Sequence, residues 1–235
     1  MAETYSEFGY SGSGTAEDVL AWALDRFHPR IAIACSLQHA VVVHLAVQIR
    51  PDVRVFSVDT GRLPEETYEC ARDLERALKI RIEWVFPRHE AVERLLREGG
   101  THSFRESPEA RRHCCGIRKL EPTGRALAGL DAWVSGIRRE QAATRQDRGK
   151  IEWDETRPGL LKINPIADWT NEQVREYVRR HRLPYNRLLD RGYTSIGCAC
   201  CTRAVEPGED PRAGRWWWES DGHKECGLHV GNWSI

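Results

Sequence analysis

The stretch IAIACSLQHAVVVHLAVQIRPDVRVFSVDTG, residues 31–61, decides the fold class. Residues 31–35 and 53–58 are short apolar runs of the kind found in strands buried within a parallel sheet. Between them, residues from about 40 to 49 have the apolar spacing of a helix. A strand, a helix and a second strand in close succession predict a β-α-β unit whose two strands are parallel.

The same alternation continues along the chain on both sides of this unit. Helices are predicted at about residues 16–27, 40–49, 64–79, 89–97 and 170–180, and strands at 31–35, 53–58, 80–86 and 131–137. Residues 151–163 are interpreted as a hairpin or an irregular excursion. We therefore expect an α/β fold with an open, mostly parallel sheet flanked by helices. Ligands of such sheets bind beyond the carboxyl ends of the strands, near residues 36–39, 59–61 and 136–139.

Composition bounds the classes of partner. The 235 residues include 35 Lys and Arg and 35 Asp and Glu, so the net charge is zero and gives no sign of a nucleic-acid or membrane partner. No run approaches the roughly 18 apolar residues of a membrane span. Residues 1–14 lack the apolar core of a secretion signal, so a cytoplasmic location is expected. Residues 105–148 are locally basic, which suits either an anion or a solvated surface.

The pattern of secondary structure dissolves near the C-terminus. From residue 192 onward Gly, Pro and Trp dominate and no helical or strand periodicity is visible. We expect one α/β domain, residues 1–204, followed by a mobile tail, residues 205–235, with little regular structure.

Eight cysteines in a reducing compartment indicate metal or redox chemistry rather than disulfides. Cys114 and Cys115 are adjacent, and their Cα atoms at ~3.8 Å are too close for an unstrained bridge, which needs about 5.5 Å. Neighbouring side chains on a helix diverge by about 100°, which favours two corners of an iron–sulfur cluster over one zinc ion. Cys198 and Cys201 form a CxxC turn that would supply two further thiolates, although Cys200 beside them leaves the ligand choice open. The alternative is that the adjacent pair packs as small buried hydrophobes.

Cys226 stands apart from the other cysteines, in the segment HKECGLH. His223, Lys224 and His229 would stabilise its thiolate, with Glu225 opposing them, so Cys226 is a candidate nucleophile. An incidental exposed cysteine is the alternative. Because no second cysteine is nearby to resolve a covalent intermediate, an outside thiol would have to discharge it.

Motifs spread over residues 30–235 resemble those of the assimilatory sulfonucleotide reductases, in particular the iron–sulfur adenylyl-sulfate (APS) reductases that use thioredoxin. In chain order the motifs are CSLQHAVVVHL, VDTGRLPEETYE, CCGIRKLEP, SGIRREQAATR, NPIADWTNEQV, LPYNRLLDRGYTSIGCACCT, GRWWWE and KECGLH. The resemblance implies an adenine-nucleotide α-hydrolase-like fold with a modified pyrophosphate loop. It also implies an enzyme of sulfate assimilation for cysteine biosynthesis that converts APS to sulfite and AMP through an S-sulfocysteine.

The resemblance also assigns roles to individual residues. It implies a 4Fe–4S cluster on Cys114, Cys115, Cys198 and Cys201, Cys226 as the nucleophile, and Lys119 between the cluster and the substrate. His229, as a group that would stabilise the Cys226 thiolate, completes the expected catalytic set. The substrate-binding residues that the resemblance implies are Ser36, Gln38, Thr60, Gly61, Arg138, Arg139, Arg145, Arg212 and Arg215. Its implied partners are APS and thioredoxin or a glutaredoxin-like thiol donor, and a homo-oligomer is compatible with it. The family usually carries an acidic residue where this chain has His39.

Three other functions are considered. Reduction of the 3′-phosphorylated nucleotide PAPS belongs to the same family, but members that lack the cysteine cluster typically use PAPS, so the full cysteine set favours APS. A non-catalytic iron–sulfur or zinc redox regulator would explain the four thiols but not ECGLH or the arginines of residues 135–145. An ATPase with a pyrophosphate loop would need glycines that residues 35–40 lack.

Overall fold

A six-stranded sheet forms the centre of the computed structural model, which describes residues 5–219 and residue 227. The strands are β1 (Ile31–Ala34), β2 (Arg54–Val58), β3 (Ile82–Val85), β4 (Ala132–Val134), β5 (Ile151–Trp153) and β6 (Leu161–Ile163). Their spatial order is β3-β2-β1-β4-β6-β5, and every neighbouring pair is parallel except β5 with β6. The expected open, mostly parallel sheet is confirmed.

Seven α-helices connect and flank these strands in the described part of the chain. They are α1 (Ala16–Phe27), α2 (Val41–Ile49), α3 (Glu65–Leu78), α4 (His89–Gly99), α5 (Pro108–Cys115), α6 (Glu121–Leu127) and α7 (Asn171–Arg180). Side-chain caps begin two of these helices: Thr15 accepts a hydrogen bond from the Asp18 amide before α1, and Thr170 forms a reciprocal capping box with Gln173 before α7. The predicted helices and strands are therefore confirmed to within a few residues at their ends.

Both faces of the sheet are buried because successive side chains of a strand point to opposite sides. Ile31 and Ile33 of β1 pack in the same core cluster as Leu20 of α1 and Val43 of α2. Ala32, between them, packs on the other side of the sheet with residues of β2, β4 and α6. Burial on both sides explains why the strands are continuous apolar runs in the sequence.

Residues 151–163 form the hairpin alternative of the sequence interpretation. Strands β5 and β6 pair antiparallel, and β6 also pairs parallel with β4. The hairpin therefore extends the parallel sheet by one strand and places the antiparallel β5 at its edge. This parallel role of β6 is not predicted by the sequence, because a three-residue strand is too short to show a period.

The described part of the proposed tail, residues 205–219, is irregular but in contact with the preceding chain. Thr202 and Arg215 form an isolated antiparallel bridge, and the Trp216 amide donates to the Cys201 carbonyl at 3.2 Å. Trp216 is 2% exposed. A separate, mobile tail stays a prediction, and Cys226 and His229 lie outside the described residues.

Within the described ranges, no helix has the length and apolar character that crossing a membrane requires.

Candidate active site

A cavity of about 1050 Å³ opens where β1, β2 and β4 end. This is the edge at which parallel α/β sheets bind ligands, and the chain order reverses here because β1 lies between β2 and β4. Most of the predicted site residues line it: Ser36, Gln38, Thr60, Cys114, Cys115, Lys119, Arg138, Arg145, Cys198, Cys201, Arg212 and Arg215. The topology thus brings together segments that are far apart in the sequence.

The wall of the cavity beside the sheet is largely apolar. Phe56 and Val58 of β2, Trp133 of β4 and Ile137 after β4 contribute to it. Phe56 and Trp133 are each 1% exposed, so they form a fixed surface. An apolar wall with polar groups around it is the usual arrangement for binding the flat ring of a small molecule.

Six cysteines line the cavity, and several of their side chains are in mutual contact. Cys114 of α5 and Cys201 pack in one cluster with Trp216, with Cys198 and Cys200 at its margin. The Sγ atoms of Cys200 and Cys201 lie 3.8 Å apart. The structure therefore places Cys114 of the double cysteine against the CxxC turn, and the role of these thiols as ligands stays a prediction.

The surroundings of these thiols raise the pKa of some of them and lower the pKa of others. Burial raises the pKa of Cys114. Hydrogen bonding with the other CxxC thiols raises the pKa of Cys201. The hydrogen bond with Cys201 lowers the pKa of Cys198, and the Thr60 hydroxyl, 3.2 Å from the Cys198 sulfur, lowers it as well. Positive charge on Arg215 and Lys119 lowers it further. Thiolate is thus the favoured form of Cys198, and thiolate is the form that binds metals.

Thiols on two segments are the donors that could hold a metal centre here. Cys114 and Cys115 lie on one segment and Cys198 and Cys201 on the other, and all four line the cavity. Over the described residues, no three or more His, Cys, Asp or Glu side chains converge to hold one metal ion. All-thiol donor sets hold zinc or iron–sulfur centres.

A single π-helical turn, Gly116–Leu120, follows the cysteine pair and continues directly into α6. Such turns insert an extra residue into a helix and often occur at functional sites. Arg118, within this turn, is buried and donates to the Thr60 carbonyl at 2.8 Å. Gly61 follows with φ +70, and a Cβ added there would lie 3.4 Å from the Arg118 guanidinium. The turn after β2, at Thr60 and Gly61, is therefore in close contact with Arg118.

The loop after β4 carries two buried arginines. Arg138 is held by the Asn171 side chain at 2.7 Å and the Trp169 carbonyl at 3.3 Å, and burial lowers its pKa. Arg145 donates to the Gln141 side chain, which also accepts from the Arg138 amide. The hydrogen bonds fix both guanidinium groups at the cavity before any ligand binds.

Arg215 approaches the CxxC turn closely. A Cβ added at Gly197 would lie 2.4 Å from its guanidinium, so only glycine leaves room for the arginine in this position. Arg212, three residues earlier, donates to the Ser195 hydroxyl at 3.4 Å. The segment 205–219 thus contributes two basic groups to the cavity.

His39 lies on the cavity wall at the start of α2. Burial lowers its pKa to about 4, and the positive charge of Arg138 acts in the same direction. The imidazole is therefore neutral at pH 7. Its Nδ1 atom is buried and has no hydrogen-bond partner among the described residues.

Four predicted residues differ from the others in their placement. Gly61 and Arg139 are not in the lining that the described residues form: the Gly61 amide donates to Asp59, and the Arg139 side chain donates to the Arg148 carbonyl at 2.8 Å. Cys226 and His229 lie outside the described residues. The roles of all four stay predictions.

Several lining residues are not singled out by the sequence. Arg62 donates to the Thr101 carbonyl at 2.7 Å and to the Cys200 sulfur at 3.7 Å. Its neighbour Gly61 lies in one of the quoted motifs. Arg111 and Trp216 pack against each other with the guanidinium 4.1 Å from the ring centroid. Arg62 and Trp216 lie within the quoted motifs, and this position could have identified them as site residues. Arg111 lies in none of these motifs.

Comparison with known proteins gives this site a family. Residues 29–204 match the model of the phosphoadenosine phosphosulfate reductase domain. The chain belongs to this family. The family resemblance of the sequence motifs, and the enzyme class that it implies, are thereby confirmed.

Curated relatives of this phosphoadenosine phosphosulfate reductase-domain chain carry a more specific name. A protein of Allochromatium vinosum named adenosine 5′-phosphosulfate reductase is 49% identical over 201 residues, which cover 85% of this chain and 78% of the relative. A protein of Burkholderia cepacia with the same name is 45% identical over 215 residues, covering 91% and 86%.

Solved structures support the fold of the family. The phosphoadenylyl-sulfate (PAPS) reductase of Candida auris, in a phosphate complex, is similar with a TM-score of 0.68 and 28% identity, covering 81% of this chain and 90% of that one. The FMN adenylyltransferase of Candida glabrata has a TM-score of 0.56 at 13% identity, with coverages of 92% and 72%. At that identity the likeness concerns the fold alone, and it agrees with the expected adenine-nucleotide α-hydrolase-like architecture.

Proposed function

We propose that this protein reduces adenosine 5′-phosphosulfate (APS) to sulfite and AMP, using electrons from an external dithiol protein of the thioredoxin type. One observation carries the proposal. Four buried polar atoms of cavity-lining side chains lack hydrogen-bond partners among the described residues: His39 Nδ1, Arg118 Nε, Arg138 Nε and Arg215 Nε. Unpaired buried polar atoms are costly, so their convergence on one cavity supports a polar, anionic ligand that satisfies them.

The arrangement of the cavity supports a sulfonucleotide. The apolar wall of Phe56, Val58 and Ile137 suits an adenine ring, while Arg138 and Arg215 suit oxygens of phosphate and sulfate, which guanidinium groups bind through planar pairs of N–H donors. The name shared by the relatives, which are 45–49% identical, favours APS among such nucleotides.

The reaction consists of two thiol displacements. First, the thiolate of Cys226 attacks the sulfate sulfur of APS, an S–S bond forms, the S–O bond to the phosphate breaks, and AMP leaves with the electron pair. The lining arginines and Lys119 stabilise charge that develops on the leaving phosphate. The product on the enzyme is an S-sulfocysteine.

The second displacement releases sulfite. A thiolate of the dithiol protein attacks the Cys226 sulfur, and sulfite leaves with the electron pair of the broken S–S bond. The second thiol of the donor then resolves the mixed disulfide. The sulfur of the substrate gains two electrons and the donor is oxidised to its disulfide, so the sequence is balanced without another reductant.

A 4Fe–4S cluster would be held by Cys114, Cys115, Cys198 and Cys201. When bound, it would supply a charged metal–sulfide centre at the cavity, and the two displacements above need no electrons from it. Lys119 lies near these thiols, since its charge lowers the pKa of Cys198, and it also lines the cavity. Its position supports a role in joining the metal site to the substrate.

An anaerobic assay of sulfite and AMP with reduced thioredoxin tests the function. We expect APS-dependent release of both products, at a higher kcat/KM than with PAPS, and no release from Cys226→Ser. A higher kcat/KM with PAPS would reassign the substrate. Full sulfite release by Cys226→Ser would exclude the covalent mechanism, and ATP hydrolysis without sulfite would favour the ATPase alternative.

Replacement of Lys119 tests its proposed role separately. Loss of one charged group that stabilises a transition state lowers turnover by roughly 10²–10³-fold. We therefore expect Lys119→Ala to lower kcat by about that factor while the iron content per chain stays unchanged. Unchanged turnover, or iron loss in proportion to the loss of activity, would contradict this role.

The cellular setting is part of the same proposal. None of the seven cysteines in the described residues is in a disulfide bond, which supports a reducing, cytoplasmic compartment. A homo-oligomer stays compatible with the family and is measurable by light scattering.

A further inference from the structure

A buried ion pair joins the helix of the double cysteine to the segment that precedes Cys226. Arg111 lies one turn before Cys114 on α5. Its Nε and terminal nitrogen donate to the two carboxylate oxygens of Glu219 at 2.5 and 3.1 Å. The two side chains are only 5% and 6% exposed. The pairing is bidentate, so it sets the orientation of Glu219 as well as its distance.

Trp216 completes this connection. Two guanidinium groups contact its ring, that of Arg111 at 4.1 Å and that of Arg215 at 4.8 Å from the ring centroid. Its amide donates to the Cys201 carbonyl at 3.2 Å, and its own carbonyl accepts from the Glu219 amide at 2.9 Å. The segment is therefore attached both to the CxxC turn, through the backbone, and to α5, through side chains.

Stability alone is a poor explanation for the ion pair. A buried ion pair costs desolvation, and an apolar pair of similar size is often at least as stabilising. What the pair adds is a defined position for the chain at Glu219. Cys226 is seven positions after Glu219, with six residues between them, so a fully extended chain reaches at most about 25 Å from Glu219 to the Cys226 backbone. Gly227, directly after Cys226, is buried.

We propose that Arg111 and Glu219 are a positioning pair that fixes the root of the Cys226 segment beside the cavity, and thereby raises the effective concentration of the thiol at the substrate. This inference rests on the proposed function, since it takes Cys226 as the nucleophile. An anchored segment of fixed length restricts the volume that its thiol explores, which is how tethering accelerates an intramolecular step. The pair acts through the position of Cys226: Glu219 is not among the lining residues of the cavity in the described chain, and Arg111, which does line it, donates from Nε to the Glu219 carboxylate.

Single-turnover sulfonation of Cys226 tests the proposal. Anaerobic holoenzyme is mixed with excess APS without thioredoxin, quenched, and assayed by mass spectrometry for the sulfonate on Cys226. Glu219→Gln keeps the shape but removes the charge, and we expect its sulfonation rate to fall at least about tenfold, because small misplacements of reacting groups have effects of that size. Arg111→Lys keeps the charge but loses the planar pair of donors, and the same direction of change is expected.

Binding and iron content separate positioning from structural damage. The Kd for APS, measured on Cys226→Ser forms with and without Glu219→Gln, is expected to agree within about twofold, and iron per chain is expected to match the parent. The control is Glu109→Gln, which removes the exposed partner of Arg112 on the same helix, 2.9 Å from it, and should leave the rate unchanged.

The outcomes are distinguishable. A rate within twofold of the parent for both Glu219→Gln and Arg111→Lys would overturn the positioning pair. A slower rate accompanied by an equal loss of APS binding or iron would also overturn it, in favour of a structural role. Absence of any sulfonate on the parent enzyme would overturn the proposed reaction itself.

Discussion

Single residues prepare this cavity for an anion before any ligand is present. His39, Arg118, Arg138 and Arg215 each hold a buried polar atom without a partner in the described chain, and all four line the same cavity. Other atoms of the three arginines are held by carbonyls, side chains or an aromatic ring. The guanidinium groups are therefore ordered while part of their hydrogen-bonding capacity is kept for the ligand, which lowers the entropy cost of binding.

Gly197 is expected to control Arg215. An alanine Cβ there would lie 2.4–2.6 Å from three guanidinium atoms, so the arginine side chain must move while the fold is kept. Loss of a charge-assisted hydrogen bond costs roughly 1.5–3 kcal/mol, so Gly197→Ala should raise KM for APS about tenfold or more. Steady-state kinetics check this.

The matched control is Gly124→Ala in α6, where an added Cβ meets no atom within 4 Å. It should leave KM unchanged. Arg215→Ala should add little to the effect of Gly197→Ala, and full additivity of the two changes would contradict the proposed link.

His39 should make stability depend on pH. Its pKa is about 4 in the folded protein, against an ordinary value of 6.5, so the folded state binds fewer protons than the unfolded state below pH 6.5. The contribution of His39 is fully present above pH 6.5 and is lost as the pH falls toward 4. By pH 5 the loss amounts to about 2 kcal/mol.

Urea unfolding of the parent and of His39→Gln at pH 7 and pH 5 measures this difference. The parent should lose more unfolding free energy over that interval than His39→Gln does. His89→Gln removes a histidine that is 79% exposed and should behave like the parent. Equal pH dependence of the parent and His39→Gln would contradict the buried, neutral assignment.

Whole elements place these residues, and the helix of the double cysteine is the clearest case. The π-helical turn Gly116–Leu120 separates α5 from α6 without ending the helical path. The extra residue in the turn shifts the side chains that follow it relative to those before it. Cys114 and Arg118, four residues apart, would share a face of an ordinary helix, whereas Lys119, five residues after Cys114, would not, and in this structure it lines the same cavity.

The end of α3 offers an independent test of an element. Its C-cap, Lys79, has φ 55 and ψ 39, a left-handed conformation that costs an ordinary residue roughly 1 kcal/mol and costs glycine little. Lys79→Gly should therefore raise the unfolding free energy by about 0.5–1 kcal/mol, and Tm by roughly 2–4 °C.

Arg76→Gly, in the last helical turn of α3, is the control for this change. Because its backbone is helical, glycine there should lower the unfolding free energy by about 1 kcal/mol. If Lys79→Gly lowers the unfolding free energy, the left-handed conformation of Lys79 carries no strain in this protein. Thermal and chemical unfolding measure both variants.

At the scale of the whole molecule, the site exists only because distant segments meet. The Cys114 helix, the CxxC turn and the segment 205–219 converge on a small cluster that contains Cys114, Cys201 and Trp216. None of these segments holds all of the thiols. A metal centre that binds them all is therefore retained only when the segments are folded together, and the metal content per chain measures this. Binding energy of such a centre is also folding energy for the segments that it joins.

Neighbouring cysteines in the CxxC turn supply a test at this scale. Cys201→Ser should lose most of the iron and the visible absorption of anaerobically purified protein, because a cluster ligand is removed. Cys200→Ser should keep both, since the Cys200 sulfur accepts from Arg62 at 3.7 Å and is not in the ligand set that the family resemblance implies. Equal iron loss in the two variants would contradict this choice of ligands.

The fold and much of the site were predictable from local pattern. Strands buried on both faces leave continuous apolar runs, and the residues that follow those runs, such as Ser36, Thr60 and Arg138, are near the cavity for topological reasons. The short β6, the π-helical turn and the part played by Arg111 were not predictable. Each depends on contacts with residues far away in the chain, which leave no period or motif in the local sequence.

The parallel α/β class, the family and the residue types that carry the chemistry follow from the sequence alone, because periodicity, caps and motif spacing are local properties of a chain. The folded structure was needed to show which thiols and arginines face one cavity, that His39 is neutral with its Nδ1 atom buried, and that Arg111 holds Glu219. Burial and pairing depend on the atoms that packing brings from elsewhere, and packing is a property of the whole folded chain.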